Sequence, residues 1–133
     1  MLKNRVSSIN NLDYQEIAID ERKVVSTLKQ VLPLLQKPEP AFTNRVAHID
    51  IADMEEIAVQ RWLYSLDLKC ETANVYWVAH KKGIRIRLDV FFQHYSDLWY
   101  PSADDVIVTD EELSWLLEMH HEEIFSLWRL ETV

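Results

Sequence analysis

The chain has one glycine, Gly83, and one cysteine, Cys70, in 133 residues. A single glycine excludes the glycine-rich turns that cradle phosphates, so neither a P-loop nor a dinucleotide fingerprint is present. It also excludes the G-x-S-x-G elbow that presents a serine nucleophile. A single cysteine permits no intrachain disulfide and no cysteine-based zinc site. Cys70, between Lys69 and Glu71, has no neighbour in sequence that marks an activated thiol. No charge-free apolar run approaches the roughly 18 residues of a membrane span. Met1 to Ser8 lack the continuous apolar core of a signal peptide. By elimination, these absences predict a cytoplasmic location.

Bases are the other scarcity. From Tyr95 to Val133 there are ten acidic side chains and one base, Arg129, a formal charge of −9. Residues 1–94 carry 13 bases and 12 acids, which brings the whole chain to −8. Such asymmetry predicts a negative field over one region of the surface, which repels nucleic acid and attracts basic proteins.

What is present fits one ordinary domain spanning residues 1–133. Apolar residues make up 48 % and charged residues 27 %, a globular rather than disordered composition. Lys37-Pro38-Glu39-Pro40 reads as an extended connector within that domain. Tyr14 to Ile19 suggests a short strand. Asp20 opens a helical stripe of Val24, Val25, Leu28, Val31, Leu32 and Leu35, which Pro33 should kink or end near Leu32. A second helix is expected from Asp53, in a capping-box spacing with Glu56, to about Leu66.

Ile84, Ile86, Leu88, Val90 and Phe92 alternate with Arg85, Arg87, Asp89, Phe91 and Gln93, the period of a half-buried strand. With Asn74 to His80 before it, this predicts an antiparallel hairpin, with Gly83 supplying a left-handed turn position. Val106 to Val108 reads as a further strand. Asp110 to Glu131 fits either a helix or a hairpin turning at His121-Glu122-Glu123, and periodicity does not separate the two. The fold class is therefore α+β, with two N-terminal helices packed on an antiparallel sheet of about three to five strands.

Chemistry-bearing groups are present but scattered. On a helix, adjacent His120 and His121 point about 100° apart, and on a strand they face opposite sides, so a metal site is not expected there. His48, His80, His94, Asp50 and Asp89 fall in no catalytic spacing. Lys81, Lys82, Arg85 and Arg87 lie near Tyr76, Trp77 and Phe91, a combination that can bind RNA, but the net charge opposes it. Trp99-Tyr100-Pro101, in an expected loop among acids, has the character of an interface anchor.

The function expected from the sequence is a small acidic protein-binding module, an inhibitor or immunity protein that neutralises a basic partner such as a bacterial nuclease toxin. Its expected partner-binding residues are Asp97, Trp99, Tyr100, Asp104, Asp105, Asp110, Glu111 and Glu112. No catalytic residue, metal, cofactor, nucleic acid or membrane is expected, and the state is monomer or homodimer. The alternatives are a metal-dependent or His/Asp-based hydrolase and a non-catalytic subunit of a larger assembly.

Overall fold

A computed structural model describes residues 17–36, 43–100 and 104–130. The expected Lys37 to Pro40 connector, Tyr14 to Glu16 and Pro101 lie outside them. In chain order the elements are β1 (Ile17–Ala18), α1 (Glu21–Gln36), β2 (Thr43–Asp50), α2 (Glu56–Ser65), β3 (Thr72–Trp77), β4 (Lys82–Arg87), α3 (Leu88–Gln93), α4 (Tyr95–Leu98), β5 (Val106–Thr109), β6 (Trp115–His120) and β7 (Ile124–Leu130). The strands form one antiparallel sheet in the order β1-β4-β3-β5-β6-β7-β2. The class is α+β, but the sheet exceeds the three to five strands expected. The strand expected within Tyr14 to Ile19 is present as two-residue β1, and the member that was not expected is β2, whose alternation is too weakly apolar to announce a strand.

Each sheet face carries its own core. Tyr76, Ile107 and Leu116 pack under Val24, Leu28 and Val31 of α1. The opposite face, including Val75, Trp77, Val108, Leu117 and Phe125, is covered by Val59 and Leu63 of α2 and by α3 and α4. Each such aliphatic side chain contributes about 1.5–3 kcal/mol when fully buried. Asp20 caps α1: its Oδ1 accepts the Arg22 N–H at 2.8 Å. The helix does not end near Leu32. It runs on to Gln36, because Pro33 lies on the exposed side and Leu35 beyond it still packs against the sheet. At α2 the expected capping box is absent, for the helix begins after Glu55 with no side-chain cap.

The β3–β4 hairpin forms, with two corrections. Lys81, at φ 53°, takes the left-handed turn position, and no glycine has positive φ. The strand also stops at Arg87, and Leu88 to Gln93 is helical. Leu88, Phe91, Phe92 and Tyr95 are all buried at i, i+3, i+4 and i+7 spacing, so the apolar Phe91 in the supposed polar row is the residue that betrays a helix. In the last segment the hairpin prevails over the helix. Trp115 to His120 and Ile124 to Leu130 pair around a three-residue loop, with Glu123 left-handed at φ 66°. No helix among the described residues is long and apolar enough to cross a membrane.

Candidate functional site

The strand register fixes which loops share an end of the sheet. Trp77 pairs with Lys82 and Val106, Val106 with Met119, Met119 with Phe125, and Phe125 with Ile49. The start of β5, the β6–β7 turn and the end of β2 therefore lie together. The Ile51 N–H donates to the Glu123 carbonyl at 2.9 Å, and the Val78 N–H to the Asp105 carbonyl at 3.1 Å. Helix α4 joins the same region, since Ser96 Oγ donates to Glu56 Oε1 at 2.7 Å.

This end is an acidic rim. Asp50, Asp53, Glu55, Glu56, Asp97 and Glu122 are exposed there, with Asp105 and Glu123 half-buried. The segments that build it, 46–60, 88–100 and 104–128, contain no lysine or arginine. Arg45 and Arg61 flank the first of these segments and Arg129 follows the last, while Lys81 and Lys82 lie on the β3–β4 turn at the same end of the sheet. Four of the rim acids come from a stretch whose charge, averaged over residues 1–94, looked neutral. Only the return of β2 beside β7 makes them visible.

At the centre of the rim, Asp105 holds the β6–β7 turn. Its Oδ1 accepts the His121 backbone N–H at 2.9 Å and lies 2.9 Å from His121 Nδ1. The His120 and His121 rings stack, with centroids 4.2 Å apart. His120 is the last residue of β6 and His121 the first of the turn, so neither helical nor strand geometry applies and the rings face the same way. His120 Nδ1 accepts the Glu122 N–H at 3.1 Å. Burial pushes the Asp105 carboxyl up, but the bonds from the His121 side chain and backbone outweigh it and hold it below the usual range. The same side-chain bond raises His121. Burial pushes Glu118, half-buried on β6, upward despite the opposing influence of His120. Asp105, His120 and His121 place ligand atoms within 4.8 Å of one another, and among the described residues they are the set that could hold a metal ion.

The eight residues expected to bind a partner do not form one surface. Trp99 is buried, stacked edge-on against Phe125, with its indole N–H on the Asp104 carbonyl at 3.0 Å. Asp104 is also buried, its Oδ2 accepting the Tyr100 N–H at 2.9 Å. These two organise the loop from within and leave Tyr100, 43 % exposed, as the aromatic that faces outward. Asp97, Tyr100 and Asp105 belong to the rim. Asp110, Glu111 and Glu112 lie beyond the other end of β5. There Asp110 closes the β5–β6 turn, its Oδ1 accepting the Ser114 N–H at 2.7 Å.

Glu111 is engaged internally. Lys23 Nζ reaches its Oε1 at 2.6 Å, while Arg85 Nη2 at 2.5 Å and Asn74 Nδ2 at 2.9 Å reach its Oε2. Lys23, Asn74 and Arg85 together pull the carboxyl down to about 2. Of the basic cluster, Arg85 is engaged by Glu111 and Arg87 binds Asp89 at 2.7 Å, Lys81 and Lys82 are exposed, and Tyr76, Trp77 and Phe91 are core. At this second end a cleft of about 490 Å³ is lined by residues including Leu66, Asp67, Lys69, Trp115 and Arg129.

Cys70 is a poor nucleophile here: burial, with Asp110 adding, raises its thiol pKa. Tyr95 is pushed up to about 12 by burial and Glu56. No protein-family model, curated protein or solved structure matches this chain.

Proposed function

We propose that the chain is a protein-binding module that engages a basic protein partner through the acidic rim, as an inhibitor or immunity protein covering the cationic groove of a nuclease toxin would. The observation that carries this reading is the convergence of six exposed acids from three segments with no lysine or arginine among them. Like charges gathered without counter-charges cost the isolated fold some stability, and a cationic partner returns that cost on binding. Low-dielectric strand ends beneath the rim strengthen its field. Tyr100 beside the rim supplies an amphipathic contact of the kind enriched at interfaces.

The reading is tested by association kinetics against ionic strength, once a basic partner has been captured. Steered association slows steeply as salt rises, while dissociation changes little. A partner whose on-rate is indifferent to salt would remove the electrostatic basis of the proposal.

A further inference from the structure

Asp105 of the rim also belongs to a second constellation, with the rings of His120 and His121. We propose that Asp105, His120 and His121 form a binding site for a divalent transition metal of the zinc class. One carboxylate oxygen and two imidazole nitrogens, from the start of β5 and the β6–β7 turn, already lie within 4.8 Å of one another. In a tetrahedral zinc site with bonds of about 2.0–2.1 Å, neighbouring donors stand about 3.3 Å apart. Asp105 Oδ1 and His121 Nδ1 are already 2.9 Å apart, and these side chains, 42 % and 45 % exposed, have room to turn toward an ion.

The frame is built before the ion arrives. Backbone bonds at both ends of Asp105, from Val78 to its carbonyl and from His121 to its carboxylate, fix the residue. The three-residue turn, closed by the Glu123 N–H on the His120 carbonyl at 2.9 Å, fixes the two rings side by side. His120 exchanges its Glu122 N–H bond for the metal, or binds through its other nitrogen after a tautomer change. Asp105 ligates through a carboxylate oxygen, and the exposed His121 ring turns from its bond with Asp105 to bind through a ring nitrogen.

Two imidazoles with one carboxylate select borderline metals over calcium or magnesium, which want oxygen donors throughout. The surrounding acids raise the local concentration of any cation. Three protein ligands leave a fourth position for water or a donor from another molecule.

Zn²⁺ alone is titrated into the metal-free full chain while the histidine ring resonances are followed by NMR. Saturation at one equivalent with micromolar affinity is expected, with the His120 and His121 rings shifting and His48, His80 and His94 unmoved. His120→Ala and His121→Ala should each weaken binding at least tenfold, and Asp105→Asn about 10–100-fold. His80→Ala, an exposed histidine outside the set, should leave binding unchanged. Absence of saturation, equal shifts in all five histidines, or full binding by the His121→Ala variant would overturn the site. The resonances of the unaltered chain decide the matter even where a variant folds poorly. Neither result bears on the basic partner, whose capture needs no metal.

Discussion

At Gly83 the backbone of β4 passes so close under α1 that an added Cβ would meet Tyr76 Cδ1 at 2.9 Å, Val24 Cγ2 at 3.0 Å and the Val75 carbonyl at 3.1 Å. Tyr76 and Val24 are buried and the carbonyl belongs to the sheet, so none can yield cheaply. Gly83→Ala should therefore destabilise the fold by about 1–3 kcal/mol through overpacking. Urea unfolding would check this; a neutral effect would mean that the helix rides higher on the sheet than described. Glu111 is a second residue whose purpose differs from its expected one. Its carboxyl lies near 2 in the fold against an ordinary 4.5. A depressed acid contributes stability that is full above the unfolded value and is lost as pH falls toward the folded one. Stability of the native chain should accordingly exceed that of Glu111→Gln at pH 6, and the gap should close between pH 4.5 and 2. Because Glu111 is 54 % exposed, solvent screening limits the gap to about 1 kcal/mol or less.

Among the elements, legibility followed how much of the physics was local. The β3–β4 hairpin and the Asp20 cap were readable because alternation and capping act within a few residues. Gly83 was noticed but misread: its rarity signalled a constraint, yet the constraint is contact with α1, a neighbour that sequence distance hides. Leu88 to Gln93 misled because alternation and an i, i+3, i+4 stripe coexist there, and only the two-sided burial of Phe91 and Phe92 separates them. Asp110 to Glu131 was undecidable for the same reason. What decides it is the free edge of β5, which β6 completes with Val108 opposite Leu117. The turn of that hairpin holds Glu123 at φ 66°, which costs a side chain about 1–2 kcal/mol relative to glycine. Glu123→Gly should raise the melting temperature, offset in part by the entropy glycine loses on folding. A lower melting temperature would show that the Glu123 side chain contributes more than its backbone strain costs.

For the molecule as a whole, the candidate surface was half legible. The sign of the charge in the last third was plain, and Asp97, Tyr100 and Asp105 do lie on the rim. Asp50, Asp53, Glu55 and Glu56 were invisible because charge summed along a segment hides charge gathered in space. Trp99 and Asp104 were named for their types, and the fold uses those types inward. The β2 edge of the sheet bears a bulge between Arg45 and Ala47. Bulges blunt pairing with a second chain, so an interface formed at the rim is favoured over strand addition at this edge.

The most direct measurement is parallel affinity capture under low salt with three baits: the native chain, the rim variant Asp53→Lys/Glu55→Lys/Glu122→Lys, and Glu112→Lys at the opposite end. Quantitative mass spectrometry of the captured proteins supplies the readout, with circular dichroism confirming that each bait is folded. One basic protein should be enriched near stoichiometry by the native chain and by Glu112→Lys, and lost from the rim variant. A basic protein retained equally by the rim variant, or no basic protein enriched by the native chain, would contradict the proposed rim interface.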